Sequence, residues 1–411
     1  MTTEQDSVFS FLAKNRNYRM FWFGQIVSQL GDRIHTLAVI WLVYLWTKSG
    51  TALAVVLIAS TLPSILISPW AGSITDRMNR KYIAIASDLA RSALVISLIA
   101  LNATSGLNLW TLALITALIA VASAFFNPAT FAIIPSIVAP EQLVRANAIS
   151  QLSTSASAAL GFMIGSGLIA GIGVSTAFAF NAVSFLISAA MIRKISYSQT
   201  RQARSLPFYE EFKAGFGVIR GIPLVTKILL PVVLINLVFS ALPVLIPFFG
   251  EGTFQAGSAG VGFLMASFTA GMFMGAAFLS YSSFNATIGR VMVVGLGIVG
   301  AAFVIMGIFA YLPIFLATLA LIGFSLNFVN ICLLGLFQRV VPTDVRGKFF
   351  SFLTAISLSS QPISYGLTGW LADTIKPELI LLVCGVAIIM IALWLLRVKE
   401  LGLETIRGVN A

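Results

Sequence analysis

Charged residues are scarce in this sequence, at 9% of 411, where an ordinary soluble domain carries about 25%. Apolar residues fill 58% of the chain. Too little polar surface remains to coat a water-soluble globule, and that class is excluded. Cysteine and histidine are nearly missing as well. Cys332 and Cys384 both sit inside apolar runs and share no metal-type spacing with each other or with the single histidine, His35. Neither a disulfide framework nor a metal centre is expected. No Walker A sequence occurs, so an enzyme that hydrolyses nucleotide is excluded and no cofactor is called for. Gly295-Leu-Gly297-Ile-Val-Gly300 matches a dinucleotide fingerprint in letters only. It lies within an apolar span with no strand before it, and it reads as helix packing.

What the chain has in abundance is long apolar runs. They fall at about 18–46, 52–73, 82–103, 108–130, 146–171 and 175–194, then at 224–249, 259–281, 290–311, 313–337, 348–373 and 378–397. Each is long enough for the roughly 20 residues that cross a bilayer as a helix. The expected fold is an all-α membrane protein of twelve transmembrane helices in two pseudo-symmetric six-helix bundles. Its divisions are 1–194, a cytoplasmic linker over 195–223, and 224–411. The first run contains Gln25, Gln29, Asp32 and Arg33 and is too long for a cleaved signal core. In the linker, Phe212, Phe216 and Ile219 alternate with charges at amphipathic spacing, which predicts an interfacial helix over 208–221. Gly215 and Gly217 weaken that helix and leave a solvated linker as the alternative.

A net charge of +11 would suggest nucleic acid in a soluble protein. Here it follows topology instead. With the N-terminus in the cytoplasm, 21 of the 25 Lys and Arg residues fall in inside segments, and only Lys48 and Lys376 fall outside. Arg33 and Arg91 lie within spans. The positive-inside bias therefore puts both termini in the cytoplasm, and no nucleic-acid partner is expected. Val138-Ala139-Pro140-Glu141, followed by Arg145, recurs as Val341-Pro342-Thr343-Asp344, followed by Arg346. Each copy precedes the fifth helix of its half, as parallel six-helix repeats require.

At about 100° per residue, Gln25, Gln29, Asp32 and Thr36 share one stripe of the first helix. Ser28 and His35 border it on one side and Arg33 on the other. Ionisable groups in hydrocarbon are expensive and face a cavity or a partner. Asp32 is accordingly a candidate proton carrier, with Arg33 and His35 as tuning groups; a structural ion pair is the competing reading. Asp88 and Arg91, three apart on the third helix, can pair on one face or reach the loop before it, and Arg91 could alternatively face a cavity. Asn181, Asn236, Asn327, Asn330, Gln361 and Tyr365, with Gln25 and Gln29, are uncharged candidates for a solute-binding wall. Among 32 phenylalanines, such a wall suits a bulky, largely apolar or amphipathic solute. Each amide could equally tie helices together.

Between the second and third spans stands Gly72-Ser-Ile-Thr-Asp76-Arg77-Met78-Asn79-Arg80-Lys81. Gly72 would permit close helix approach, Asp76 would cap a turn or pair with a cation, and the cations would hold the cytoplasmic side. Asn79 suits a left-handed turn. The segment resembles motif A of the major facilitator superfamily, departing at Asn79, where that family has glycine. Together with Gln25 to Arg33, Asn127-Pro128-Ala129 and Pro140 to Asn147, it resembles the macrolide-efflux and enterobactin-exporter-like branch, the transmembrane secretion effectors. That resemblance implies a secondary transporter of the bacterial cytoplasmic membrane, working by alternating access as a monomer among membrane lipids. It further implies a drug-like small molecule driven outward by exchange against an ion gradient, of protons, with no cofactor. Gly72, Asp76, Arg77, Arg80, Lys81, Asp88 and Arg91 would form its conformational latch. A siderophore or lipid-like metabolite is the alternative cargo. A membrane sensor or assembly partner that transports nothing is the alternative of another class.

Overall fold

The computed structural model describes residues 8–197, 223–281, 286–342, 345–398 and 405–406. A short α1 (Val8–Lys14) leads into α2 (Arg16–Thr47), α3 (Gly50–Arg77), α4 (Arg80–Ala103) and α5 (Leu109–Ile137), and then, after a 3-10 turn at Pro140–Gln142, into α6 (Leu143–Gly171) and α7 (Val174–Arg193). The later part contains α8 (Pro223–Phe239), α9 (Leu242–Pro247), a π-turn at Phe248–Thr253, and α10 (Gly257–Tyr281). It continues through α11 (Ile288–Ile308), α12 (Leu312–Val340), α13 (Arg346–Thr374) and α14 (Pro377–Leu395). A two-residue antiparallel pair, β1 (Ala286–Thr287) with β2 (Thr405–Ile406), is the strand content among the described residues.

Eleven spans among the described residues are long and apolar enough to cross a membrane. The twelfth expected span is α13, which has the length but carries serines at 351, 357, 359, 360 and 364, together with Gln361. The seventh run is broken rather than continuous. Pro243 and Pro247 each lack an N–H for the helical ladder, and Ser240 turns its hydroxyl back onto the Asn236 carbonyl at 2.8 Å. The expected interfacial helix at 208–221 lies outside the described residues.

Turn chemistry fixes the connections. Lys48, Ser105 and Gly173 take φ of 46°, 56° and 104°, the left-handed region that reverses a chain just past a helix end. A backbone turn precedes the fifth helix of each half, at positions one residue apart relative to the repeat's proline. Gln142 N–H closes onto Ala139 O at 2.9 Å before α6, and Val345 N–H onto Pro342 O at 3.2 Å before α13.

The described residues within Met1–Val39 and Ala59–Ser205 form one compact unit, and those within Ile40–Ile58 and Leu206–Ala411 form another. In the first, α4 packs on α5 and α7, and Ser92 Oγ donates to Ala182 O at 2.9 Å. Glycines let α6 approach α2: a Cβ on Gly161 would stand 2.6 Å from Arg33 Cβ, and one on Gly165 would stand 3.1 Å from Ile34 Cα. In the second unit the same device joins α10 to α12, where a Cβ on Gly275 would stand 2.5 Å from Phe324 O, and α11 to α14, where one on Gly300 would stand 2.8 Å from Gly385 O. Gly295 and Gly300 of the dinucleotide-like pattern are therefore packing residues.

Candidate functional site

Asp32 and His35 of α2 and Asp88 and Arg91 of α4 collect where α2, α4, α5 and α7 meet. Antiparallel packing of α2 on α7 sets the register: Gly24 faces Ser188 and Met191, Gly31 faces Asn181 and Ser184, and the His35 ring lies 5.3 Å from that of Phe178. Any side chain at Gly31 would collide with Ser184 Oγ. That close approach places the stripe beginning at Gln25 beside the polar face of α7.

Asp88 is fully buried, and its Oδ1 accepts a hydrogen bond from Arg91 Nη2 one turn along α4. The guanidinium carbon of Arg91 lies 3.9 Å from the Phe126 ring centroid on α5 and 4.3 Å from that of Phe185 on α7. Carboxylate and phenyl faces together hold a cation that would otherwise be prohibitive in the membrane interior. The Ser188 hydroxyl neighbours the Asp88 carboxylate without reaching hydrogen-bond geometry.

Asp32 is half-buried and lies within the electrostatic reach of Arg91 and Arg33, and Asp88 in turn feels Asp32. The stripe's Thr36 spends its hydroxyl on the Asp32 carbonyl at 2.7 Å, which leaves the carboxylate uncommitted by that neighbour. His35 is buried, but its Nδ1 has no hydrogen-bond partner among the described residues. The same holds for Gln25 Nε2, Gln29 Oε1, Asp88 Oδ2, Arg91 Nε, Asn181 Nδ2 and Ser188 Oγ. Buried polar atoms are normally paired. So many spare donors and acceptors in one bundle can exchange protons, hold water or take hydrogen bonds from a polar solute.

The uncharged candidates divide between the units. Asn181 is fully buried and accepts Ser184 Oγ at 3.2 Å through Oδ1, leaving Nδ2 unpartnered. In the second unit, Asn236 turns its amide onto Val232 O of its own helix at 2.8 Å. Asn327 ties α12 to α10 through Met272 O at 2.7 Å. Asn330 is exposed, Gln361 half-buried and Tyr365 buried.

In the loop from Gly72 to Lys81, Asp76 pairs with Arg80 at 3.1 Å, as expected of one of its two options. Two expectations change. Asn79 is extended, at φ −70° and ψ 110°, rather than left-handed. It caps α4 instead, its Oδ1 accepting Lys81 N–H at 3.0 Å. The family's glycine is not needed there, because the asparagine side chain supplies an acceptor to the helix start. Gly72 has nothing within 4 Å of where its Cβ would be, so it makes no close helix approach here. Lys81 Nζ donates to Ile195 O at 2.7 Å, tying the start of α4 to the end of α7, while Arg77 is exposed. Asp88 and Arg91 pair with each other and lie a turn and more beyond this loop.

Sequence reasoning missed Phe126 and Phe185, whose partnership with Arg91 depends on helix packing and leaves no local mark. Ser184 and Ser188 carry a fainter signal, being four apart on one face of α7.

Comparisons with known proteins bear on this geometry. The sequence profile of the transmembrane secretion effector family matches residues 7–406. An uncharacterized major-facilitator-type transporter, YfiS, of Bacillus subtilis is 26% identical, covering 92% of this chain and 92% of its own. Macrolide efflux protein A of Streptococcus pyogenes is 26% identical, covering 95% of this chain and 98% of its own. In three dimensions, a bacterial homologue of the iron transporter ferroportin, in its inward-facing state, superposes with a TM-score of 0.71 at 16% identity. That match covers 92% of this chain and 98% of the homologue, and it speaks to fold alone.

Proposed function

Because the chain belongs to the transmembrane secretion effector family of the major facilitator superfamily, we propose that it is a proton-coupled antiporter exporting a bulky amphipathic or lipophilic, drug-like solute. Membership makes it a multi-pass membrane transporter, not an enzyme, and efflux proteins are among its relatives. Proton coupling is the finer reading. The observation that carries it is Asp32, half-buried in a span, with the Asp88–Arg91 pair and Arg33 within electrostatic reach.

Two carboxylates then compete for one guanidinium. Ionised Asp32 draws on Arg91, whereas protonated Asp32 leaves Arg91 to Asp88. Each proton bound or released on α2 thus changes the attraction between α2 and α4, and a population of conformers shifts in proportion to that differential. In this reading 1–194 and 224–411 are the moving bundles and 195–223 joins them. The ion gradient supplies the energy without any cofactor, both termini are cytoplasmic, and one chain among membrane lipids suffices. Gln25, Gln29 and Asn181 offer unpartnered polar atoms to the solute. In the second half Asn330, Gln361 and Tyr365 are the remaining candidates, with Asn236 and Asn327 offering their amide oxygens, because their Nδ2 groups are already used. Asp76 and Arg80, with Arg77 and Lys81, stabilise one conformation, and Gly72, with open space where its Cβ would be, adds no helix contact to that group. A polyanionic siderophore would need free cations, and Arg91 is already held by Asp88 and two phenyl rings. That leaves Arg33 as the one other intramembrane cation among the candidate residues, which favours a neutral or cationic cargo over a polyanionic one.

Proteoliposomes with an imposed pH gradient, screened with lipophilic antibiotics, dyes and siderophores, test the reading. Solute-dependent proton movement is expected with the first two classes, and its absence with every class returns the chain to a sensor or assembly role. Asp32→Asn should bind solute yet lose uphill transport. Undiminished uphill transport by that variant removes Asp32 from the mechanism.

A further inference from the structure

We propose that the second unit carries a binding site for one anionic phospholipid, between α8, α13 and α14. A groove of about 840 Å³ opens there, within the range of well-formed ligand pockets. Its wall is almost wholly hydrocarbon, from residues such as Leu230, Leu234, Leu367, Val383, Met390 and Trp394. Four of these, Leu230, Leu367, Val383 and Met390, are half exposed or more. The Ser364 hydroxyl in the wall is already used, donating to Leu237 O at 2.6 Å. A solute with several hydrogen-bonding groups would find little to orient it, whereas an acyl chain requires only apolar contact.

Charge gives the site its direction. On α8, Lys227 lies one turn before Leu230 and Pro231 and so continues the face that lines the groove. Arg397 stands in the turn just past the end of α14, its N–H closing onto Trp394 O at 3.0 Å. Both cations are exposed. α8 and α14 run antiparallel along the groove, so the two cations mark the same end. The opposite end carries Asp373, Lys376 and Glu378, acidic on balance. A lipid with its phosphate between Lys227 and Arg397, Trp394 at the interface and a chain along α14 satisfies all three features. The excess of basic residues in inside segments puts that end in the cytoplasmic leaflet. The proposal rests on the chain being membrane-embedded and is independent of proton coupling, so either can fail alone.

Native mass spectrometry of the purified full-length chain, titrated with phosphatidylglycerol or phosphatidylcholine, tests it. Retention of phosphatidylglycerol should exceed that of phosphatidylcholine by roughly ten- to thirtyfold, the ratio that two cations near a membrane surface provide. Arg397→Gln should remove much of that preference, and Lys227→Gln combined with Arg397→Gln nearly all of it, with unfolding midpoints in phosphatidylcholine unchanged. Cys384 lines the groove and Cys332 is buried. In a Cys332→Ala background, phosphatidylglycerol should therefore slow maleimide labelling of Cys384, and Ala387→Trp, which fills the groove, should abolish the lipid's effect. Equal retention of the two lipids, an undiminished preference in Arg397→Gln and the double variant, or protection of Cys384 by a transported antibiotic but not by phosphatidylglycerol would overturn the assignment.

Discussion

Asp88 and Arg91 show how a charge is kept in a place that disfavours it. The Asp88 side chain is fully enclosed, and Arg91 is 3% exposed. Removing one partner leaves the other buried and uncompensated, a loss of about 3–5 kcal/mol, whereas replacing both with apolar groups of similar volume is close to neutral. Asp88→Leu alone should therefore lower the unfolding midpoint in detergent, and Asp88→Leu with Arg91→Met should recover most of it. If the pair is part of the coupling device, the double variant will be stable and still unable to transport uphill. A stable and fully active double variant would make the pair only structural. Its spacing of three residues was legible in the sequence, because helical geometry alone brings i and i+3 together. The phenyl rings beside Arg91 were not, because Phe126 and Phe185 come from other helices and are two among 32 phenylalanines. Asn79 illustrates the opposite failure. Its residue type suits both a left-handed turn and a helix cap, and only the backbone of the loop decides between them. Asn79→Ala should cost about 1 kcal/mol, read as a lower midpoint and weaker amide protection at Lys81 and Tyr82.

Among the elements, most helix ends lie within a few residues of where hydropathy places them, because a bilayer-length apolar run bounded by turn residues leaves little choice. The seventh run departs because proline and serine inside an apolar stretch do not alter its hydropathy but do interrupt its ladder. Contacts between elements were less visible. The start of α3 is capped in trans: Asp373, near the end of α13, accepts Gly50 N–H at 2.6 Å, Thr51 N–H at 2.9 Å and Ser49 Oγ at 2.8 Å. Residues 323 positions apart give no sequence signal of this kind. Beside the cap, a Cβ on Gly50 would stand 2.5 Å from Gly369 O, so backbone meets backbone. Asp373→Ala should free the first amides of α3, costing about 1 kcal/mol at this exposed position. Hydrogen exchange at Gly50 and Thr51 should accelerate, while amides in the middle of α3 stay protected. Unchanged exchange at both positions would show that the cap adds nothing to the start of the helix. The glycine pairs were legible as small-residue spacing, though not which helix each one faces.

For the molecule as a whole, the membrane class and the helical repeat followed from composition and periodicity, since hydrocarbon tolerates few alternatives to a closed helix. The grouping of residues 40–58 with the later half of the chain did not, because it depends on contacts such as the Asp373 cap rather than on hydropathy. Orientation can be tested directly. The skew of 21 basic residues to one side against two on the other is far beyond balance, and insertion follows such skew in short loops. In a background of Cys332→Ala and Cys384→Ala, a single cysteine at Lys48 or Lys376 should react with an impermeant maleimide added to intact cells. One at Arg77 or Arg290, exposed positions near the ends of α3 and α11, should react only after the membrane is opened. The reverse pattern would turn the chain over and with it the direction of solute movement. Labelling at all four positions in intact cells would mean a mixed topology, in which a proton gradient of one sign could not drive export.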